Sequence, residues 1–481
     1  MDTLAFNLLA EEQALDFANS GVWTFILLLS VLFASLLLAN ILKRLIPFLK
    51  RSLIPTAVIA GLILLIISSI YTSITGKNIF NTNVFGGKGI LDLEMITYHA
   101  LALGFIAQSL QTNDQKVTGK RAKEIFNTGV TTVSTYLLQA ILGMGITFLF
   151  ALVATNVVDY SGVLLPFGFG QGTGQALNFG NIYQTQHGFE GGADFGLSIA
   201  ALGFLSASIG GVIYLNIMKK KNPSRFSNLE GARTNEVVEG PNEIPMNGSM
   251  DKFTFQLAFI AIAYALAFAA MWGLGKLLPG MKATIYGFNF LFGVLTATLV
   301  KAIFNLLYKK SIIKRQYQNN FLLTRLSNMF FDVMIVAGIA AIRLETILNY
   351  WWILLILGVV GLFATYFYNL FVAKKLFGEY KDEQFLVMYG MLTGTASTGV
   401  MLLREADPLY KTPANQNLVL QNFPAIVFGF PLMLLGNLAP VNPMLTFIIL
   451  IAFFVVMNII LFRSFIFKKK NKTPLQTEKT E

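Results

Sequence analysis

The chain of 481 residues contains no cysteine and only two histidines, His99 and His187. The first absence removes disulfides, thiolate metal ligands and thiol nucleophiles together, and the second leaves too little imidazole for a histidine-based metal site. Charge is scarce too. Charged residues make up 13% of the chain against 55% apolar, with 43 phenylalanines, so a water-soluble globule of this size would lack polar surface. No phosphate-binding loop is present, because FGGKG at 85–89 lacks the spacing and the Ser or Thr that such a loop needs. That disfavours ATP-driven pumping and makes an ion gradient the natural energy source. The first twenty residues, MDTLAFNLLAEEQALDFANS, are acidic and carry no basic n-region, so they read as a retained tail rather than a signal peptide. No paired carboxylates, Ser/His pair or metal cluster occurs at useful spacing in the apolar runs, which makes a membrane-embedded enzyme the weakest functional class.

What the chain does have is a series of apolar runs near the roughly 20 residues needed to cross a bilayer. Hydropathy places spans near 22–42, 54–73, 91–110, 125–153, 193–218, 253–275, 284–308, 321–341, 350–373, 415–437 and 443–466. The net charge of +11 lies in short connecting loops: KRLIPFLKR (43–51), KVTGKRAK (116–123), KKKNPSR (219–225), KKSIIKR (309–315) and KKLFGEYK (374–381). Such a pattern sets membrane orientation and is no sign of a nucleic-acid partner. It places those loops and the C-terminus in the cytoplasm and the N-terminus outside.

Two further apolar stretches, 163–183 and 384–403, are rich in glycine, which costs about 1 kcal/mol against alanine inside a helix. The loops flanking the first contain no Lys or Arg, whereas those flanking the second carry Lys381, Arg404 and Lys411. Both ends of each stretch therefore face one side, outside for the first and inside for the second. Each is expected to be a re-entrant hairpin, a form tolerated at membrane depth only where protein or a watery cavity satisfies the backbone.

The two halves echo one another at an offset near 230: VIAGLILL (58–65) with FLFGVLTA (290–297), LALGFIAQSL (101–110) with IVAGIAAIRL (335–344), and GQGTGQA (170–176) with GTASTGV (394–400). The expected fold is all-α and polytopic: an outer tail 1–21; a first repeat 22–218 of five spans and hairpin 163–183; a cytoplasmic linker 219–252; an inverted second repeat 253–437 with hairpin 384–403; an extra helix 443–466; and a basic tail 467–481. Inverted halves with interrupted helices at matching positions point to a secondary transporter that binds solute near the midplane. A passive channel is the rival from another class.

At these motifs the chain resembles the sodium/glutamate symporter family over about residues 20–437. FGQGTGQA (169–176), followed by GFEGGADFGLSIAALGFLSASIGG (188–211), is similar to the family's GGHGTA hairpin and the glycine-rich helix after it; GMLTGTASTGVMLL (390–403) is similar to GLGATPTAIANM. The resemblance implies Na⁺-driven glutamate uptake across a bacterial cytoplasmic membrane, two packed copies of the chain, and an elevator-like movement of the hairpin-bearing helices. The family's histidine position holds Gln171 or Gly172, its TPT proline is replaced at Ser397, and its IAN asparagine corresponds to Leu402. Another organic acid or a neutral amino acid, coupled to Na⁺ or H⁺, is the alternative solute. No cofactor is expected beyond Na⁺ as coupling ion.

Gln171, Thr173, Gln175, Thr395, Ser397 and Thr398 are the candidate cavity residues, or else they satisfy backbone at the helix breaks. Asn178 and Asn181 either cap the returning helix or touch solute. Arg404 is a carboxylate partner or a topology charge. Hard-ion chemistry makes oxygens of Gly170, Gly172, Thr393 and Ala396 the candidate Na⁺ ligands. Asp332, a carboxylate inside a span with Asn328 one turn earlier, either coordinates a cation or pairs with a neighbouring helix. Arg343 and Glu345 belong at the interface, and His99 reads as a packed, hydrogen-bonded core residue rather than a proton relay. Trp351 and Trp352 mark the start of a span at the interfacial belt.

Overall fold

The computed structural model describes residues 20–112, 119–154, 157–221, 250–279, 282–408 and 411–466. Nearly all of the expected tail 1–21, most of the expected linker 219–252 and the basic tail 467–481 lie outside these residues. Among the described residues the protein is all-helical and has no strand.

The first part of the chain forms α1 (Ser20–Leu45), α2 (Pro47–Ser52), α3 (Thr56–Thr75), α4 (Gly89–Leu110), α5 (Gly119–Ala151), the short α6 (Leu164–Phe169), α7 (Thr173–His187) and α8 (Gly192–Lys221). The second part forms α9 (Lys252–Leu277), α10 (Lys282–Gly287), α11 (Asn289–Lys309), α12 (Asn320–Ala340), α13 (Leu344–Ile347), α14 (Trp351–Leu376), α15 (Lys381–Thr393), α16 (Ala396–Ala406), α17 (Ala414–Leu420), α18 (Asn422–Leu438), α19 (Pro443–Leu461) and α20 (Arg463–Ile466). Ten of them, namely α1, α3, α4, α5, α8, α9, α11, α12, α14 and α19, are long and apolar enough to cross a membrane. The outer faces carry the large apolar side chains that lipid requires, among them exposed Phe33, Ile74, Phe268, Phe367 and Ile448. The protein is thus a polytopic integral membrane protein.

One expected span is not straight. The run 415–437 is divided into α17 and α18, which are bent by 52°. Hydropathy averages over the break, but the backbone cannot: Pro424, in the first turn of α18, has no N–H to bond the carbonyl of residue 420. Gly129 of α5 leaves room for it, since a methyl group at Gly129 would approach Pro424 Cγ to 2.7 Å. The expected span 284–308 likewise begins as the separate turn α10 before α11.

Both glycine-rich stretches are broken helices. Phe167 of α6 stacks on Phe179 of α7 with ring centroids 3.8 Å apart, so the chain doubles back across the break at 170–172. α15 and α16 also lie side by side, with Gly390 against Gly399: a methyl group at the first would stand 2.7 Å from the Cα of the second.

Glycines also let the two halves interlock. A methyl group on Gly61 of α3 would meet Ile339 of α12 at 2.7 Å, and one on Gly293 of α11 would meet Ile106 of α4 at 2.9 Å. Ser327 Oγ of α12 donates to the carbonyl of Gly104 at 3.0 Å. α4 and α12 therefore cross at close range in the middle of the molecule.

Candidate functional site

The two breaks face each other. Gly172 caps α7 at φ +79°, ψ −171°, a conformation that L-residues essentially do not adopt. A methyl group there would stand 3.4 Å from Thr395 Cγ2 and 3.6 Å from the carbonyl oxygen of Gly394. Thr395, the N-cap of α16, makes no side-chain capping bond. The first N–H groups of α7 and α16 have no intrahelical acceptors, and each helix start carries about half a positive charge.

Beside the tips lies a cavity of ≈ 110 Å³ whose lining includes Gly170, Gln171, Gln175, Gly394, Thr395 and Ala396 from the breaks, Tyr136 from α5, and Gln421 and Asn422 from the bend between α17 and α18. Aromatic and methionine side chains complete it, among them Phe105, Phe331 and Met334. Tyr136 Oη donates to the carbonyl of Gly170 at 3.1 Å. Gln175 is only 1% exposed, and neither its Oε1 nor its Nε2 has a hydrogen-bond partner among the described residues. Leaving such groups unpaired costs about 1–3 kcal/mol each.

A second space of ≈ 410 Å³ shares Phe105, Gln108, Asn422 and Ile426 with the cavity and continues past Gln111, Thr112 and Lys301. Next to Leu101 and Phe290 of the lining, α4 and α7 are tied to the α10–α11 turn. Tyr98 Oη donates to the carbonyl of Tyr286 at 2.6 Å, Asn289 Nδ2 donates to the carbonyl of Tyr98 at 2.9 Å, and Asn178 Nδ2 donates to the carbonyl of Gly287. Leu101 of α4 packs over Gly174, where a methyl group would stand 2.8 Å from its Cδ1.

The residues expected from the sequence divide into three groups. Gly170, Gln171, Gln175, Thr395 and Ala396 line the cavity, and Gly172 makes the tip contact. Thr173 and Thr398 are buried just behind: Thr173 Oγ1 donates to the carbonyl of Met334 at 3.4 Å, and Thr398 Oγ1 is 3.4 Å from Thr395 Oγ1. Thr393 Oγ1 turns into its own helix, donating to the carbonyl of Tyr389 at 2.6 Å.

The other residues lie elsewhere. Asn178 and Asn181 line a separate cleft of ≈ 300 Å³ with Glu94 and Tyr98. Ser397 Oγ reaches Asn328 Oδ1 at 3.5 Å; Asp332 follows one turn later on α12 and is half-buried, and none of these three lines the cavity. Arg404 is exposed, eight residues beyond Ala396 and so about 12 Å along α16, and takes no part in the lining. His99 Nδ1 bonds Tyr264 Oη at 2.6 Å, away from the cavity.

Two groups of polar residues, and the partner of Arg343, were not singled out from the sequence. Gln421 and Asn422 stand just before Pro424, and a polar pair beside a proline inside an apolar run is the signal of a broken span. Thr128, Thr131, Thr132, Thr135 and Gln139 are all buried on α5 at helical spacing, a polar stripe legible in retrospect; Gln139 Nε2 donates to Thr365 Oγ1 at 2.8 Å and to the carbonyl of Leu392 at 2.9 Å, tying α5 to α14 and α15. Arg343, just past α12, is ion-paired with buried Asp194 of α8, Nη2 to Oδ2 at 3.0 Å, and its backbone N–H donates to the same carboxylate at 2.8 Å. Glu94 of α4 is 3.9 Å from the guanidinium. Burial works against the charge on Arg343, but Asp194, Glu94 and Glu345 together outweigh it and the guanidinium pKa is raised. No protein-family model and no curated protein matches the chain.

Proposed function

We propose that this protein is a secondary transporter that imports a small carboxylate-bearing solute, of the amino-acid kind, together with Na⁺. The observation that carries the reading is the meeting of two broken helices at a cavity that holds a buried, unpartnered Gln175. Two helix starts offer N–H groups and about one unit of positive charge to a carboxylate, and broken helices at a shared central site are the construction of secondary carriers.

On this reading the two breaks are re-entrant hairpins in an inverted repeat of five spans each, with α19 outside the repeat. The reciprocal contacts Gly61–Ile339 and Gly293–Ile106 support the repeat, since each half presents a glycine of one helix to an isoleucine of the other half. With the basic loops read as cytoplasmic, the 410 Å³ space faces the cytoplasm, so on this reading the cavity opens inward and the bonds around Tyr98 close it to the outside. Outward opening then requires the hairpins to move against α4 and the α10–α11 turn, an elevator-like step. Ser397, Asn328 and Asp332 offer a hydroxyl, an amide and a carboxylate oxygen to a coupling Na⁺ next to the second tip. Two copies of the chain pack together in a bacterial cytoplasmic membrane.

Each net positive charge moved inward gains about 2.3 kcal/mol per 100 mV, and a tenfold Na⁺ gradient about 1.4 kcal/mol. Two ions therefore suffice to concentrate a zwitterion or a monoanion many-fold. Proteoliposomes with an inward Na⁺ gradient should accumulate labelled amino acid above the external concentration, and choline replacement should abolish accumulation. Flux that equilibrates without ever exceeding that concentration, at any Na⁺ gradient, identifies a channel and overturns the carrier.

A further inference from the structure

We infer that the central cavity selects a zwitterionic amino acid with a short, uncharged side chain and rejects dicarboxylates, an inference that rests on the carrier reading above. Charge is the first argument. Among the described residues no Asp, Glu, Lys, Arg or His lines the cavity; the two helix starts at the breaks together supply about one positive charge, and the ends of α6 and α15 beside them a negative partial charge for an ammonium. That balances one carboxylate. A second would enter a low-dielectric space where no described lining residue carries a cationic side chain to meet it, a cost that buried, unpaired charge does not recover.

The cations nearby do not alter this. Arg404 is exposed at the far end of α16. Lys301 lines the adjoining space and not the cavity, where its Nζ is held by the carbonyls of Ser109 at 2.6 Å and Gln111 at 3.1 Å.

Hydrogen-bond chemistry and size agree with the charge balance. An amide presents one acceptor and one donor group on the same carbon, and on Gln175 both are buried and unpartnered. A zwitterion supplies the complement, an ammonium for Oε1 and a carboxylate oxygen for Nε2. The cavity measures ≈ 110 Å³, against about 150 Å³ for a protein cavity that admits benzene. Alanine, with as many non-hydrogen atoms as benzene, is of the right order for the cavity itself, whereas the longer glutamate would extend into the adjoining space. Phe331 and Met334 provide an apolar wall for a methyl or similar group.

The test is Na⁺-driven uptake of labelled alanine by the full-length protein in proteoliposomes, with unlabelled serine, glutamate and lactate as competitors. Serine should compete, and glutamate and lactate at a hundredfold excess should not. Gln175→Leu should raise the KM for alanine roughly tenfold or more. In the same variant the thermal midpoint without solute should rise, because two buried orphan groups are gone; Gln171→Leu provides a second lining variant should Gln175→Leu fail to fold. Glutamate accumulating as well as alanine overturns the inference while leaving the carrier standing. Equal competition by lactate removes the role of the ammonium and also overturns it, as does an unchanged KM in the Gln175 variant, or in the Gln171 variant where that one is used. If no member of the panel accumulates under any gradient, the carrier reading fails with it.

Discussion

Replacing Gly172 with alanine tests the geometry on which the site depends. At φ +79°, ψ −171° an L-residue is strained by about 1–3 kcal/mol. Sterics contribute little, since the new methyl group would sit at ordinary contact, 3.4 Å from Thr395 Cγ2, so the cost is conformational. Gly188 is the natural control. It ends the same helix at φ +71°, ψ 18°, a left-handed conformation that alanine reaches at about 1–2 kcal/mol, and nothing lies within 4 Å of a methyl group there.

The tip can release its strain by leaving the native conformation, and each 1.4 kcal/mol released that way lowers the competent fraction about tenfold, weakening solute binding by the same factor. Gly172→Ala should therefore raise the KM for transported solute roughly tenfold, while Gly188→Ala leaves it near the wild-type value. Uptake kinetics in proteoliposomes, with thermal midpoints in detergent for both variants, provide the measurement. A Gly172→Ala protein with wild-type KM and midpoint would refute the view that this glycine shapes the site.

Four further outcomes follow from the geometry. Arg343→Ala should destabilise the protein by about 3 kcal/mol, the low end for breaking a buried pair because the guanidinium is partly exposed, with the double variant carrying Asp194→Asn recovering part of the loss in thermal unfolding. Tyr98→Phe removes one bond of about 1 kcal/mol from the seal and should shift the conformational balance about fivefold; in this chain without cysteine, a Gln171→Cys label should react correspondingly faster with an impermeant thiol reagent added on the sealed side. Arg404→Ala should leave the solute KM unchanged, and a large increase would show that the exposed guanidinium reaches the cavity in another state. Asp332→Asn should raise the Na⁺ concentration for half-maximal uptake at least tenfold, and an unchanged Na⁺ response would remove it from the coupling-ion site.

Hydropathy and glycine placement carry far in this protein because they depend on short stretches of chain. A bilayer-length apolar run is helical wherever it packs, since lipid offers no partner for its backbone. Gly168, Gly170, Gly172 and Gly174 break their run through local backbone freedom, so the chain alone determined nine of the ten straight spanning helices closely, from α1 to α19, and both breaks. α11 is the partial exception: its run was legible, but the turn of α10 at its head was not.

Other features required the whole fold. Gln175 and Asn178 lie three residues apart on one helix, yet one lines the cavity and the other a separate cleft; only the helices packed around α7 separate them. Asp194 and Arg343 are 149 residues apart, and no periodicity links them. Arg404 carries the right charge for a carboxylate but is exposed and outside the cavity lining, and the bend at Pro424 brings Gln421 and Asn422 to the site while their run passes as an ordinary span. The amino-acid sequence determined which segments are helical and where they break; long-range packing decided which polar groups those breaks bring together, because convergence is a property of distances between segments and not of any one of them.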